Sequence, residues 1–138
     1  MTTKNRILAT LVGFVVLFML GWLVYGMLLM DFYTSNTGSA IGVMRAEDEM
    51  IWWALILGNL FQAYLLVYIF GNWANITTFS DGLKAGAIIG LIMGLAFNLS
   101  MYGTSNLMNM TSALVDPLVI AFNLAITGGV IGFMLGRK

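Results

Sequence analysis

Long runs of apolar residues, separated by shorter polar segments, make up most of this chain. The runs cover residues 7–30, 50–71, 84–103 and 117–136. Each reaches the roughly 20 residues that an α-helix needs to cross a hydrocarbon core of about 30 Å. Their apolar residues are continuous and do not alternate with polar ones, which argues against membrane strands. The pattern predicts an all-α membrane protein in which a four-helix bundle forms one transmembrane domain over residues 1–138.

Composition supports this interpretation and excludes several classes of function. Hydrophobic residues make up 60% of the chain and charged residues 9%, far from the balance of a soluble domain. The formal net charge is zero, so no basic surface is expected to attract nucleic acid. Histidine and cysteine are both absent, which removes the commonest general base, imidazole and thiolate metal ligands and disulfides. We therefore predict a non-enzymatic protein with no cofactor and no metal, whose first partner is the lipid bilayer.

The basic residues predict how the chain is oriented in the membrane. Arg45 alone falls on one face of the four-helix arrangement, and the others fall on the opposite face: Lys4, Arg6, Lys84, Arg137 and Lys138. By the positive-inside rule the face with more basic residues is cytoplasmic. Both termini are then cytoplasmic, and the acidic loop at residues 31–49 is external.

Ionisable residues are predicted to lie outside the middle of every span, which argues against proton relays and ion-coupled transport. Asp116 and Pro117 stand at the start of the fourth apolar run. Aspartate is a good N-cap residue and proline is favoured at the first helical position. The pair is therefore predicted to begin the fourth helix.

Glycines recur every fourth residue in the last two spans. The row in the third span is Gly82, Gly86, Gly90 and Gly94, and the row in the fourth span is Gly128, Gly132 and Gly136. Such rows let two helix backbones approach closely, and close packing is what associates helices in lipid. We expect the third and fourth helices to pack tightly on each other, with a dimer contact through either row as the alternative.

Polar side chains inside the spans form a second candidate constellation. Its members are Tyr25, Asn59, Gln62, Asn98, Tyr102 and Asn123. The three asparagines fall between mid-depth and the outer half of the bundle. They could line a polar pocket open to the outside, or they could form interhelical hydrogen bonds worth about 0.6 kcal/mol each.

A faint internal repeat relates the two halves of the chain. Val12-Gly13-Phe14 followed by Tyr25-Gly26 matches Ile89-Gly90-Leu91 followed by Tyr102-Gly103. Because each half contains two spans, the halves would be parallel and related by an axis along the membrane normal. The alternative is coincidence among residues that are common in membrane helices.

Two segments suggest a family. The first span ends in Gly21-Trp22-Leu23-Val24-Tyr25-Gly26, and the fourth ends in Gly132-Phe133-Met134-Leu135-Gly136-Arg137-Lys138. With these two segments the chain resembles small bacterial four-helix inner-membrane proteins of unknown function. The resemblance implies a location in the bacterial plasma membrane and assigns no activity and no site residues.

The glycine rows and small external loops favour a function through helix association. The chain would act as a homo-oligomer or as a subunit of a larger membrane complex. The alternative is a binder or facilitator of a small neutral or lipid-like molecule, using the polar pocket in the outer half of the bundle.

Overall fold

The computed structural model describes residues 1–137, and this part of the chain is helical apart from turns and one isolated bridge. The α-helices are α1 (Thr3–Leu23), α2 (Met30–Ser35), α3 (Trp52–Tyr68), α4 (Phe79–Thr104) and α5 (Met110–Leu135). The π-helical turns Val24–Leu28 and Ile69–Ala74 extend α1 and α3, and Glu47–Glu49 forms a 3-10 turn.

Four helical segments are long and apolar enough to cross a membrane: Thr3–Leu28, Trp52–Ala74, Phe79–Thr104 and Met110–Leu135. The prediction of an all-α membrane protein with four spanning helices is confirmed. The chain is a multi-pass membrane protein.

The fourth spanning helix begins seven residues before the predicted position, at Met110 instead of residue 117. Its N-cap is Asn109, whose side chain accepts a hydrogen bond of 2.9 Å from the Ser112 N–H. Pro117 is buried inside the helix, and Asp116 lies within the span. The prediction that Asp116 and Pro117 begin the helix is therefore wrong, because Asn109 supplies the cap and the proline is tolerated inside a packed membrane helix.

The third spanning helix also starts upstream of its predicted position. Thr78 caps it by accepting a hydrogen bond from the Asp81 N–H, so α4 begins at Phe79 and Lys84 lies inside it on an exposed face. At the end of α3, the π-helical turn continues the helix to Ala74, past the predicted limit at residue 71.

The first and last helices meet at one end of the bundle. The side-chain amide of Asn5 donates a hydrogen bond of 2.6 Å to the backbone carbonyl of Arg137. We call this the terminal end and the opposite one the loop end. Which end faces the cytoplasm stays a prediction, and Lys138, one of the basic residues on which it rests, lies outside the described residues.

Helices α4 and α5 form the most extensive contact of the fold. A Cβ added at any glycine of the α4 row would come within 3.0 Å of backbone atoms of α5, those of Gly128, Leu124, Ala121 and Pro117 in turn. The α5 row faces the backbones of Gly82, Thr78 and Thr77 in the same way. Both glycine rows therefore form the contact between α4 and α5 within one chain.

The other two spanning helices pack on this antiparallel pair. Helix α1 contacts both α5 and α3, whereas α3 contacts mainly α1 and only slightly α5. Buried apolar side chains from α1, α3 with its π-helical turn, and α5 form the core: Ala9, Leu17, Leu66, Val67, Phe70, Leu124, Ile131 and Leu135. Helix α3 thus leaves much of its surface open to lipid.

Residues 30–40, which we call the covering segment, close the loop end. The side-chain amide of Asn109 donates to Asn36 Oδ1 at 3.0 Å, and the Ala40 N–H donates to the Asn106 carbonyl at 3.0 Å. Thr37 and Met108 form an isolated antiparallel bridge. These contacts hold the covering segment against the α4–α5 connection.

Candidate functional site

Polar side chains from four helices meet around Asp116 at the loop end. At 1.5 Å per residue, Asp116 lies roughly 9 Å along α5 from the start of that helix. Its side chain is half-buried, and it belongs to the membrane-spanning part of the chain. Ionisable residues inside membrane spans are rare and usually functional, so we treat the residues that contact this carboxylate as the candidate site.

Three neutral side chains donate hydrogen bonds to the Asp116 carboxylate. The hydroxyls of Tyr25 and Tyr33 both donate to Oδ1, at 2.8 and 2.5 Å. The side-chain amide of Asn98 donates to Oδ2 at 2.8 Å. We call these four residues the Asp116 cluster, and it links α1, α2, α4 and α5.

Asn98 reaches Asp116 because of the glycine row. It lies one turn after Gly94 on the same face of α4, and Pro117 packs against that glycine. The Asn98 amide also donates to the Gly94 carbonyl at 3.0 Å, which holds its side chain toward α5. The close helix approach therefore brings the amide and the carboxylate together.

The two tyrosines come from less regular backbone. Tyr25 lies in the π-helical turn at the end of α1, a kind of turn that often occurs at functional sites. Tyr33 lies in the short helix α2 of the covering segment. Their rings contact each other, with centroids 5.2 Å apart and ring planes inclined by 39°.

The arrangement fits an ionised carboxylate, which has acceptors only and so matches three donors. The hydrogen-bond partners that the described residues give Asp116 are all uncharged. Burial raises the pKa of the Tyr33 hydroxyl, and the hydrogen bond to Asp116 raises it further. Tyr33 therefore holds its proton at neutral pH and acts as a donor.

The structure brings only two of the predicted pocket residues together, namely Tyr25 and Asn98. Asn59 donates its amide to the Leu55 carbonyl of its own helix at 2.8 Å, and Gln62 and Tyr102 are exposed. Asn123 is buried, 4% exposed, and no donor within residues 1–137 reaches its Oδ1 atom. The predicted pocket residues therefore do not form one site: two belong to the Asp116 cluster, three lie elsewhere on the helices and Asn123 is buried in the interior. The Asp116 cluster is the polar site that the fold assembles.

Asp116 and Tyr33 were not among the predicted site residues. The sequence predicts Asp116 as a helix cap, and the glycine row of α5 gives no sign of a longer helix, because leucine stands at position 124, four residues before Gly128. The available signal for a longer α5 was Asn109, since asparagine is a preferred N-cap residue. Tyr33 had no such signal, because its position depends on the path of the chain after α1.

Within the described residues, no three Asp, Glu, His or Cys side chains gather into a group that could hold a metal ion. The absence of a cofactor stays a prediction.

Comparison with known proteins gives one match. The model of a family described as "Protein of unknown function (DUF1761)" matches residues 8–133. No curated protein and no solved structure matches the chain.

Proposed function

This chain belongs to the DUF1761 family of proteins of unknown function, and we propose that it acts without catalysis, through association of its helices with a second copy in the bilayer. The observation that supports this most is Gln62, an exposed amide near the middle of the span Trp52–Ala74.

The side chain of Gln62 is exposed and has no hydrogen-bond partner among the described residues. Lipid tails offer no donor or acceptor, so an amide at this depth is stabilised when it bonds to another helix. Asn59, one turn earlier, already donates an N–H to the Leu55 carbonyl of α3, so part of its hydrogen-bonding capacity is satisfied within its own helix. Among the mid-span amides, Gln62 is thus the one that is exposed on the bundle surface, where a second chain can reach it, whereas Asn123 is buried inside the chain.

Gly58 adds room for close approach at the same place. It lies one turn before Gln62 on the same face of α3, and a Cβ added there would meet nothing within 4 Å. A small residue followed by a polar one is a common arrangement at membrane helix contacts. The α4 and α5 glycine rows already face each other inside one chain and are not available to a second copy. We therefore assign the contact between chains to α3.

A second copy is the partner that this face fits best. An amide is both donor and acceptor, so two Gln62 side chains related by a two-fold axis satisfy each other. A heterologous partner, making the chain a subunit of a larger complex, is the other outcome of the test below.

The test is the mass of the particle in nanodiscs over a series of protein-to-lipid ratios, measured by native mass spectrometry. We expect a dimer that Gln62→Leu weakens by about threefold to twentyfold, as expected from interhelical bonds of about 0.6 to 1.7 kcal/mol. Asn59→Leu, on the same helix, is the matched control and should leave the dimer intact. A particle that is monomeric at every ratio and retains no other protein contradicts the proposal.

We also propose that the membrane is the bacterial plasma membrane, with the terminal end in the cytoplasm. Lys4, Arg6, Lys84 and Arg137 support this orientation, whereas Arg45 lies in the opposite loop. The chain has no cysteine, so Thr2→Cys and Met44→Cys each introduce one site for a membrane-impermeant thiol reagent. In intact cells we expect labelling at position 44 and none at position 2, and the reverse result contradicts the orientation.

A second candidate function is the binding of a small neutral or lipid-like molecule at the loop end. The Asp116 cluster favours it, because it is a polar site deeper than anchoring in the headgroup region requires. Its test is whether lipid-like molecules remain bound to the chain during native mass spectrometry, and whether Asp116→Asn releases them.

A further inference from the structure

An apolar groove of about 310 Å³ lies beside the Asp116 cluster. One wall comes from the end of α1 and the other from α5: Val24, Leu28, Leu29, Leu118, Val119 and Phe122. Leu28, Leu118 and Phe122 are 68%, 61% and 55% exposed, so the groove opens toward lipid. An alkyl chain is the chemistry that such a surface accepts from the bilayer.

The groove and the Asp116 cluster share the same two elements, the end of α1 and the first part of α5. Val24 directly precedes Tyr25 on one wall, and Val119 lies one turn after Asp116 on the other. The hydrogen bond from Tyr25 to Asp116 joins the same two elements. The carboxylate thus lies within about one helical turn of the groove, where the headgroup of a molecule whose alkyl chain occupies the groove can reach it.

The charge of the cluster selects the headgroup. The Asp116 carboxylate receives hydrogen bonds only from neutral groups, so none of its partners carries a positive charge. A cationic donor adds a Coulombic attraction that a neutral hydroxyl or amide lacks. Apart from Arg45, the other charged residues at the loop end are acidic as well: Asp31, Glu47, Asp48 and Glu49. Anionic headgroups are repelled there, and cationic ones are attracted.

We propose that this junction binds a single-chain amphiphile with a primary ammonium headgroup, which lies on Asp116 while the alkyl chain occupies the groove. The proposal rests on the second candidate function, in its lipid-like form, and gives the lipid-like molecule a cationic headgroup. It is independent of association through α3.

Tyr33 is the donor that the ammonium group replaces. It shares Oδ1 with Tyr25, but it comes from a six-residue helix in the covering segment, whereas Tyr25 and Asn98 belong to membrane-spanning segments. Moving Tyr33 leaves the other two hydrogen bonds of Asp116 in place. The carboxylate then remains oriented while Oδ1 accepts the ammonium.

The experiment uses the full chain in nanodiscs of phosphatidylcholine at neutral pH. Dodecylamine, which is protonated there, is compared with dodecanol by native mass spectrometry titration. We expect dodecylammonium to bind about tenfold or more tightly than dodecanol, and Asp116→Asn to abolish that preference. Asp31→Asn removes an exposed charge at the same end and should change the preference by less than about twofold.

Two further variants keep Asp116 and so decide the matter even if Asp116→Asn fails to fold. Tyr33→Phe removes the competing donor and should strengthen dodecylammonium binding. Val119→Phe fills the groove and should weaken binding of both amphiphiles.

The possible results distinguish failure of the ammonium site from failure of the binding function on which it rests. Equal binding of dodecanol and dodecylammonium, or equal losses in Asp116→Asn and Asp31→Asn, refutes the ammonium site and leaves binding in the groove standing. Weaker dodecylammonium binding by Tyr33→Phe also refutes the ammonium site. If neither amphiphile binds, both the inference and the binding function fail.

Discussion

The side-chain amide of Asn98 donates a hydrogen bond of 2.8 Å to the carboxylate of Asp116. It does so where the glycine row of α4 ends, one turn beyond Gly94. The tightest helix contact of the fold thus ends in a charged group, and that group also receives Tyr25 and Tyr33. Packing of α4 on α5 and closure of the loop end are therefore connected through one carboxylate.

Gly86→Ala should destabilise the protein because the added Cβ would collide with the Leu124 carbonyl on α5. We expect a loss of about 1–3 kcal/mol, the usual cost of overpacking. Gly103→Ala is the control on the same helix, where a Cβ meets nothing within 4 Å. Denaturant unfolding in detergent should show Gly103→Ala at or above wild-type stability, and equal effects of the two variants would contradict the packing described here.

Asn98→Leu should cost about 1.5–3 kcal/mol of stability, because it removes a hydrogen bond to a charged group and leaves Asp116 Oδ2 without this donor. Asn59→Leu is the matched control, since its amide bonds only within α3. If unfolding measurements find no difference between the two variants, the Asn98 amide adds nothing through Asp116.

Alkaline pH should weaken the loop end through Tyr33. Its pKa is raised in the folded state, first by burial and then by the hydrogen bond to Asp116, above the value of about 10 in the unfolded chain. The resulting stabilisation is present below pH of about 10 and is lost as pH rises from there toward the folded pKa. Tyr25 and Asp116 are the titratable groups that face Tyr33.

Tyr33→Phe should therefore lose less stability than wild type as pH rises above about 10, when both are followed by unfolding at several pH values. Tyr102→Phe, at an exposed tyrosine, should follow the wild-type curve. A Tyr33→Phe curve parallel to wild type across this range would show that the hydroxyl proton is not linked to folding.

Asn109→Ala should release the covering segment as well as the start of α5. It removes the N-cap bond to the Ser112 N–H and the bond to Asn36. A lost cap costs about 1 kcal/mol, so hydrogen exchange at residues 30–40 and 110–113 should speed up. Asn106→Ala keeps the backbone carbonyl that Ala40 uses, and unchanged exchange in that variant would assign the effect to the Asn109 side chain.

The spans themselves could be predicted because continuous hydrophobicity follows directly from solvation by lipid. Glycine at every fourth position also gave a definite expectation for α4 and α5, since backbone approach needs small residues on one face. Helix starts were harder to predict because they depend on single caps. Asn109 and Thr78 lie upstream of the apolar runs and move both starts toward the N-terminus.

The candidate site could be predicted only in part. Tyr25 and Asn98 lie inside spans and were recognisable as polar groups at depth, whereas Asp116 became a site residue only once α5 was known to extend past it. The internal repeat stays a hypothesis. Its equivalent glycines have different surroundings, since Gly13 faces the Ile131 side chain and Gly90 faces the α5 backbone.

The short connection between α4 and α5 bears on how the molecule is built in the membrane. Two adjacent helices with the closest contact form a low-contact-order hairpin, which is the kind of unit that assembles fastest. Asn98 and Asp116 lie on the two sides of this hairpin, so their hydrogen bond needs no other helix. Tyr25 and Tyr33, in contrast, reach the carboxylate only when α1 and the covering segment pack on α5, so the cluster is complete only in the assembled bundle.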